Sequence, residues 1–476
     1  MNPQKRPLVN ANNPKTPQPT LRKISKHGGH RWVWMVFGLA GVALLSATAG
    51  AILAMTMAST PLMQRKLSPT DAAVFSKGNL SSVNSLQLPE LTRPVNILVL
   101  GAKVLTSDVS DPEPGQQNLG YHALVNSFDG LTDTMLLLRF DPATQKVVLL
   151  SIPRDTRVEI SGYGVNKINA ANALGGPALS ARTVSELLGG IGIDRYITIN
   201  VQGVEALIDA LGGVTVYVPK DMKYQDDSQH LYVNLKAGKQ HLNGNQALQL
   251  LRFRSDELGD IGRVQRQQMV MRALSEQALN PATVARLPKI LSVIKSHIDT
   301  NLTVEELVAL VGFATNVDRA NMQMLIVPGD YSDIGTYGTS YWLPDTNRIA
   351  TLAAQYFNLG TATLDVNQPA NVRISIQDST RQARPEALVT RLGQAGYSNV
   401  VVADPYGEPL KTTRIVAQRG DAKSAEALRQ VLGIGEVFVD GTGDLNSDIT
   451  IQLGYDWMQR QPRSRDTTSS NAVSKH

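Results

Sequence analysis

Residues 134–156, TMLLLRFDPATQKVVLLSIPRDT, contain the pattern that determines the fold class. The runs TMLLLRF (134–140) and KVVLLSI (146–152) are short, apolar and bounded by Asp and Pro, which is typical of buried strands. The second run leads into Arg154 and Asp155, and a loop in this position can present a guanidinium at the edge of a sheet. The stretch therefore predicts two buried strands of one sheet, followed by a charged loop.

Strand and helix patterns alternate on both sides of this stretch. The predicted strands are VNILVLG (95–101), YITINV (196–201), VTVYVP (214–219) and MQMLIVPG (322–329), and the predicted helices lie near 177–189, 202–211, 261–279, 283–297 and 303–315. This interleaving predicts a layered α/β (α+β) domain over 94–329, in which a mixed β-sheet is flanked by helices.

The chain outside this domain divides into further parts. Residues 371–456 repeat the alternation of apolar runs and helical periods and predict a smaller β-α-β domain. Residues 330–370 are expected to be a linker, and residues 66–93, rich in Ser, Leu, Asn and Pro, a stalk. Residues 457–476 hold few large apolar side chains and are expected to be disordered.

The amino-terminal region predicts a membrane anchor. Residues 32–57 carry no charge, and as a helix they would span ~39 Å, more than the ~30 Å hydrocarbon core. Residues 1–31 contain seven basic and no acidic residues, so they are expected to form a cytoplasmic tail with the remaining domains outside the inner membrane. A cleaved signal peptide is the alternative.

Composition excludes several function classes. Beyond residue 31 the chain has 39 basic against 41 acidic residues, a net charge of −2, so a surface for nucleic acid is not expected. The chain has no cysteine, which excludes disulfides and thiol chemistry. It also lacks an HExxH motif, a GxSxG elbow and a Walker A loop.

Arginines are concentrated in three motif-like segments. SIPRDT (151–156) places Arg154 after a strand; taken alone, a structural ion pair is the commoner role for such an arginine. LRFR (251–254) would direct Arg252 and Arg254 to one face of an extended backbone. GDIGRVQRQQ (259–268) begins a helix in which Asp260 is the expected N-cap. Its first turns carry Arg263, Arg266 and Gln267 on one face, and a bound anion such as phosphate would explain these donors at a positive helix end. A solvated basic face is the alternative.

Two further residues are candidates for the same chemistry. Asp133 stands at the start of an apolar strand, a position suited to a hard-cation ligand, although it is equally typical of an ordinary turn. Lys167, in KIN (167–169), is a candidate phosphate donor, whereas single surface lysines usually serve solubility.

These segments, in order and spacing, resemble the LytR-CpsA-Psr family, and residues 371–456 are similar to the LytR C-terminal domain. The carrying motifs are NILVLG, DTMLLLRFDP, VVLLSIPRDTRVEI, KINAANALGG, YITINVQGVEALIDALGGVTVYVP, LNGNQALQLLRFR and GDIGRVQRQQ. The resemblance implies a membrane-anchored, magnesium-assisted phosphotransferase. It would move a glycopolymer from a polyprenyl-pyrophosphate carrier to peptidoglycan or another wall glycan acceptor.

The resemblance also implies roles for particular residues. Asp133 would hold Mg²⁺, with Arg154 and Arg252 also catalytic, and a pyrophosphate clamp would comprise Arg154, Lys167, Arg252, Arg254, Arg263, Arg266 and Gln267. Arginine forks match phosphate oxygens, and phosphoryl transfer depends mainly on positioning and charge neutralisation.

The sequence departs from the family pattern at two positions. Lys103 lies where the family commonly has a carboxylate, and Leu131 lies where it usually has an arginine. Either Lys103 supplies positive charge to the pyrophosphate directly, or a carboxylate of the following insertion (Asp108, Asp111 or Glu113) replaces the missing ligand. Magnesium dependence is expected to be reduced. A catalytically weakened lipid-pyrophosphate scaffold is the alternative function. Pyrophosphatase activity would be a side reaction, and transcriptional attenuation, the historical label of relatives, has no helix-turn-helix signature to support it.

Overall fold

The computed structural model describes residues 62–82, 89–102, 128–226, 231–253, 259–278, 280, 282–318, 321–360, 368–382 and 385–460. The predicted tail (1–31) and membrane helix (32–57) lie outside the described residues, as does most of 457–476. Among the residues that are described, no helix is both long and apolar enough to cross a membrane.

The first part of the chain alternates strands and helices as the sequence predicts. In order, its elements are α1 (Pro69–Ala72), β1 (Ser81–Ser82), β2 (Glu90–Leu91), β3 (Val95–Ala102), β4 (Thr132–Asp141), β5 (Lys146–Ile152), β6 (Arg157–Ile160), β7 (Gly164–Lys167), α2 (Ala170–Leu187), β8 (Arg195–Ile199), α3 (Val201–Leu211), β9 (Val214–Val218), β10 (Met222–Asp226), β11 (Leu231–Leu235), β12 (Gly238–Leu242), α4 (Gly244–Arg252), α5 (Gly259–Ala278), α6 (Ala282–Ala285), α7 (Leu287–His297), β13 (Ile298–Thr300), α8 (Val304–Asn316), β14 (Met322–Ile326), β15 (Gly329–Tyr331), α9 (Ile334–Tyr337), β16 (Trp342–Pro344) and α10 (Thr346–Phe357).

The second part follows with the same alternation. Its elements are a 3₁₀ turn (Pro369–Asn371), β17 (Ile374–Asp378), α11 (Pro385–Gln394), β18 (Val400–Val402), β19 (Arg414–Val416), α12 (Ala422–Leu432), β20 (Glu436–Phe438), β21 (Ile449–Leu453) and α13 (Tyr455–Arg460).

The central sheet of the described residues has the strand order β13-β8-β3-β4-β5-β14. β4 runs antiparallel to β3 and β5, whereas β8 is parallel to β3 and β14 is parallel to β5. Successive side chains of a strand point to opposite faces. On β5, Val148 and Leu150 therefore join the core beneath α2 and α10, while Val147 and Leu149 join a second core that includes residues of α8. The predicted mixed sheet flanked by helices is confirmed.

The smaller domain contains a second mixed sheet, in the order β18-β17-β21-β19-β20. The apolar side chains of β17 and β21 pack with those of α11 and α12 in a core of its own. The alternation of β-strands and helices agrees with the predicted β-α-β unit. β19 (RIV) was not predicted, whereas β18 and β20 lie in the predicted runs NVVVAD and EVFVDG.

The smaller domain also covers the outer edge of the central sheet. The amide of Met324 in β14 donates to Val439 O at 2.9 Å, and that of Ile326 donates to Gln418 O at 3.2 Å. An ion cluster reinforces the contact, because Asp330 and Asp448 are joined to arginines from both domains: Arg348, Arg373 and Arg419. An edge strand that would otherwise expose donors is thus paired.

Segments predicted as stalk, linker and tail are packed where they are described. In the predicted stalk, Phe75 and Leu80 are buried, and Arg195 donates to the carbonyls of Ser76 and Gly78 at 2.6 and 3.0 Å. The predicted linker (330–370) contains α10, whose apolar face completes the main core. Trp457, placed in the disordered tail, is buried in the smaller domain. The sequence did not predict these contacts, because the apolar residues of these segments are scattered without a helical or strand period.

Candidate active site

The carboxyl ends of four strands meet at one edge of the central sheet. β3, β5, β8 and β14 run in the same direction, and β4 begins at this edge because it is antiparallel to its neighbours. Loops at the carboxyl ends of such strands commonly carry ligand sites. Asp133 therefore lies at the start of β4, beside the loop that follows β5 and carries Arg154.

Asp133 and Arg154 form the centre of a chain of ion pairs. Arg154 Nη1 lies 2.6 Å from Asp133 Oδ1, and Arg154 Nε lies 3.3 Å from Asp155 Oδ2. Asp155 Oδ1 in turn lies 2.8 Å from Lys167 Nζ. The four side chains remain between 14 and 27% exposed. The predicted candidates Asp133, Arg154 and Lys167 are thus brought together, with Asp155 between the two cations.

The backbone of the KINAAN segment (167–172) holds this group in place. The amide of Asn169 donates to Arg154 O at 3.2 Å, and the amide of Thr132 donates to Asn169 O at 3.3 Å. The buried Asn172 side chain donates through Nδ2 to the carbonyls of Phe128 and Gly130 at 2.9 and 2.8 Å. One segment therefore fixes both the loop after β5 and the turn before Asp133. The sequence analysis missed Asn172, because the helix was predicted to begin near residue 177, whereas α2 begins at Ala170.

Aromatic residues border the group on one side. The Lys167 ammonium lies 5.6 Å from the ring centre of Tyr341, and the Arg157 guanidinium lies 5.2 Å from that of Tyr337. The amide of Trp342 donates to Asp155 O at 2.9 Å. The three aromatic residues Tyr337, Tyr341 and Trp342 lie in the predicted linker (330–370), so the sequence analysis did not assign them to the site.

The remaining described candidates lie on α4 and α5. Arg252 ends α4, so the extended backbone predicted for LRFR is wrong at this residue. The helix is favoured by a capping box in which Asn243 and Gln246 satisfy each other's backbone amides. α5 begins at Gly259, so Asp260, predicted as N-cap, lies inside its first turn.

Arg266 is a buried residue of α5. Its Nη2 donates to Phe253 O at 2.6 Å, and its guanidinium lies 5.5 Å from the Phe253 ring centre. Arg266 thereby fastens the end of α4 to α5, and Gln267 follows it, half-buried. Arg254 and Lys103 lie outside the described residues, and so does the side chain of Arg263.

Asp133 is the residue from which a magnesium ligand is predicted. Mg²⁺ is commonly held by one or two carboxylates together with substrate phosphates. Asp133 offers one carboxylate, of which Oδ1 is occupied by Arg154. Within the described ranges, no three His, Cys, Asp or Glu side chains come close enough together to hold a metal ion. The residues fit an ion that is shared with a phosphate-bearing substrate.

The chain matches two family models. Residues 63–358 match the LytR_cpsA_psr family, and residues 371–457 match the model described as LytR cell envelope-related transcriptional attenuator. The first match includes the predicted stalk and most of the predicted linker, in agreement with their packing.

Known relatives cover different shares of the chain. The "Regulatory protein MsrR" of Staphylococcus aureus is 40% identical over 173 residues, which are 36% of this chain and 51% of the relative. The chain thus spans about half the length of that relative. The "Polyisoprenyl-teichoic acid--peptidoglycan teichoic acid transferase TagV" of Bacillus subtilis is 30% identical over 282 residues, 58% of this chain and 67% of the relative. The crystal structure of Bacillus subtilis TagV is 28% identical, with a TM-score of 0.46 over 56% of this chain and 99% of that one.

Proposed function

This chain belongs to the LytR-CpsA-Psr family, and we propose that it transfers a glycopolymer from a polyprenyl-pyrophosphate carrier to peptidoglycan or another cell-envelope acceptor. The observation that carries the proposal is the pairing of Arg154 with Asp133 at the carboxyl edge of the sheet. The relative TagV, a polyisoprenyl-teichoic acid–peptidoglycan teichoic acid transferase, supports the same class of reaction.

The proposed step is a phosphoryl transfer. The acceptor hydroxyl attacks the phosphorus that carries the glycan, a new P–O bond forms, and the bond to the bridging oxygen of the pyrophosphate breaks. Lipid monophosphate leaves with that bond's electron pair, and the proton of the hydroxyl is released. Arg154 suits the binding of phosphate oxygens because its planar fork can donate two parallel hydrogen bonds. Lys167 would add a compact charge, and Asn169 and Asn172 would keep the loops in position.

Magnesium is part of the proposal as a ligand of Asp133. When bound, the ion would neutralise phosphate charge. Because Arg154 already contacts Asp133 at 2.6 Å and Lys103 replaces a family carboxylate, we expect a rate that depends only partly on magnesium.

We further propose the inner membrane as the location, with the charge-free segment 32–57 as a single anchor and the two domains outside. The support is the sequence alone: seven basic residues precede the segment. Protease added to intact spheroplasts should digest residues 94–456, and their protection until lysis would contradict this topology.

The proposed activity is tested by incubating the full chain in detergent micelles with a polyprenyl-pyrophosphate oligosaccharide and a glycan acceptor. We expect lipid monophosphate and labelled acceptor, and a loss of both by about 100-fold in Arg154→Ala, the size typical for removal of a charge-stabilising donor. Arg182→Ala, which changes an exposed arginine of α2, is the matched control. Wild-type protein that releases no lipid monophosphate would contradict the proposal.

A catalytically weakened scaffold that binds lipid pyrophosphate is the second candidate. It is favoured by the two carboxylates that contact Arg154, Asp133 and Asp155, and by Leu131 at a position where the family usually has arginine. Lipid that binds tightly but is recovered unconverted would identify this function.

A further inference from the structure

A large cleft separates α5 and the strands beside it from loops of the smaller domain. Its volume is about 1230 Å³, above the ~300–1,000 Å³ of typical small-molecule sites. One wall includes residues of β9 and α5, and the other includes residues 402–408 and 442–446. The two walls approach each other at Gly407, where an added Cβ would lie 3.2 Å from Cβ of Pro219.

The wall formed by α5 is long and continuous. Gln265, Met269, Arg272 and Glu276 line the cleft and recur at the spacing of one helical face. From residue 265 to residue 276 the helix rises about 17 Å. A wall of this length fits an extended ligand better than a compact one.

The charges around the cleft have both signs. Cations and carboxylates lie along the same surfaces: Lys220, Lys239, Arg266, Arg272 and Arg381, against Glu276, Asp404, Glu408 and Asp444. Because the five cations and four carboxylates nearly cancel, a polyanion would gain little net attraction, and a hydrocarbon chain would leave polar groups of both signs desolvated. Hydroxyl and amide groups can donate to carboxylates and accept from guanidinium groups, so a neutral polar chain suits this lining.

Two tyrosines add aromatic surface to the cleft. Tyr217 lies on the strand wall and Tyr406 on the opposite loop. Burial raises the pKa of Tyr406 and outweighs the opposing charges of Arg272 and Arg414, so its hydroxyl remains a donor at neutral pH. An apolar ring face beside polar donors is a common arrangement for orienting a ligand in a site.

We propose that this cleft binds a neutral saccharide chain bearing hydroxyl and amide groups, which is the acceptor strand of the reaction. The role of this saccharide as acceptor rests on the proposed function, whereas the binding of a saccharide in the cleft does not. Arg266 lines the cleft and is also one of the pyrophosphate ligands predicted from the sequence. The smaller domain would then supply half of an acceptor site.

The test is a calorimetric titration of the full chain in detergent micelles with a hexamer of β-1,4-linked N-acetylglucosamine. Asp404→Asn and Arg381→Asn each remove a charge from the loop wall, and asparagine tolerates the positive φ of 57° at position 381. We expect each to weaken binding about tenfold, the loss of one hydrogen bond to a charged group. Glu436→Gln, on an exposed position of β20 outside the cleft lining, should bind as the wild type does.

Absence of binding at 10 mM saccharide (roughly −2.7 kcal/mol), or binding that is unchanged in both cleft variants, would overturn the inference. Binding of tripolyphosphate or farnesyl phosphate that is lost in the cleft variants, without saccharide binding, would overturn it as well. Thermal unfolding of each variant checks that the fold is kept. Release of lipid monophosphate, measured on the same wild-type preparation, tests the proposed function separately: intact release without saccharide binding removes only the cleft inference, and binding without release removes only the transferase.

Discussion

Replacing Asp448 by asparagine should loosen the contact between the two domains. The Asp448 carboxylate is 6% exposed and lies 2.6 Å from Arg348 Nη1, 3.1 Å from Arg373 Nη2 and 3.2 Å from Arg419 Nη1. It therefore neutralises cations from both domains at once. In Asp448→Asn these arginines would lose the negative charge that compensates them.

The magnitude follows from the burial of each arginine. Arg348 and Arg373 are 35% and 32% exposed and can turn to solvent, but Arg419 is only 5% exposed. Leaving one buried charge uncompensated costs about 3–5 kcal/mol. Arg419 retains Asp330 at 3.2 Å and Leu445 O at 3.3 Å, so we expect the lower value, about 3 kcal/mol, which is roughly a 100-fold increase in opening.

Hydrogen exchange measures this opening directly. The amides of Met324 and Ile326 donate across the domain contact, so their exchange should accelerate roughly 100-fold in the variant, while amides of the β3–β4 ladder should not change. Glu426→Gln, which removes a carboxylate paired with Arg429 on an exposed helix face, is the control and should alter neither. Unchanged exchange at both amides in Asp448→Asn would refute the role assigned to the ion cluster.

The same carboxylate gives the contact a pH dependence. Burial raises the pKa of Asp448, but hydrogen bonds from Arg373 and the charges of Arg348 and Arg419 outweigh it, so the pKa lies below its ordinary value. A depressed pKa contributes stability above the unfolded-state value of about 3.9 and loses it as pH falls further. Exchange at Met324 and Ile326 should therefore accelerate only below about pH 4.

Three further changes test the site and the fold. EDTA should lower the release of lipid monophosphate without abolishing it, and Asp133→Ala should retain part of the rate; complete loss in both would contradict reduced magnesium dependence. Asn172→Ala should destabilise the protein by about 1–3 kcal/mol and slow turnover, because two carbonyls lose their donor; unchanged thermal unfolding would count against this. Gly213→Ala should lower the melting temperature, because φ is +89° and the new Cβ would lie 2.5 Å from His241 Nε2; Gly192→Ala, with open space at its Cβ, is the control.

The sequence predicted those elements whose pattern is local. KVVLLSI coincides with β5, because a run of apolar residues between turn residues needs no distant partner to become a strand. The sequence predicts a stalk around Phe75 and Leu80, because two apolar side chains show no period. In the structure, the distant Arg195 donates hydrogen bonds to backbone carbonyls of this segment and fixes it to the domain. A hydrophobic period in the sequence does not predict long-range contacts made by single residues.

The contrast between local patterns and long-range contacts also applies to the candidate site. Asp133 and Arg154 were predicted to belong to one site, and the sheet brings them together because β4 starts at the edge where β5 ends. The alternation in LRFR suggested extended backbone, whereas the capping box at Asn243 and Gln246 was the stronger signal and starts a helix that includes Arg252. The Lys167–Asp155 pair could not be predicted, because it depends on how the β6–β7 hairpin folds back.

Charge balance limits what the described group does alone. Arg154 and Lys167 contribute two positive charges, and Asp133 and Asp155 contribute two negative charges within 3.3 Å of them. The sum is zero, so this group orients a phosphate by geometry but adds little net attraction for a pyrophosphate anion. In the proposed function, that attraction has to come from cations on other segments, among which Arg252 lies at the end of α4 and Lys103, Arg254 and Arg263 are predicted from the sequence. In the proposed function, the site would therefore be divided between this neutral orienting group at the sheet edge and positive charge supplied by other segments.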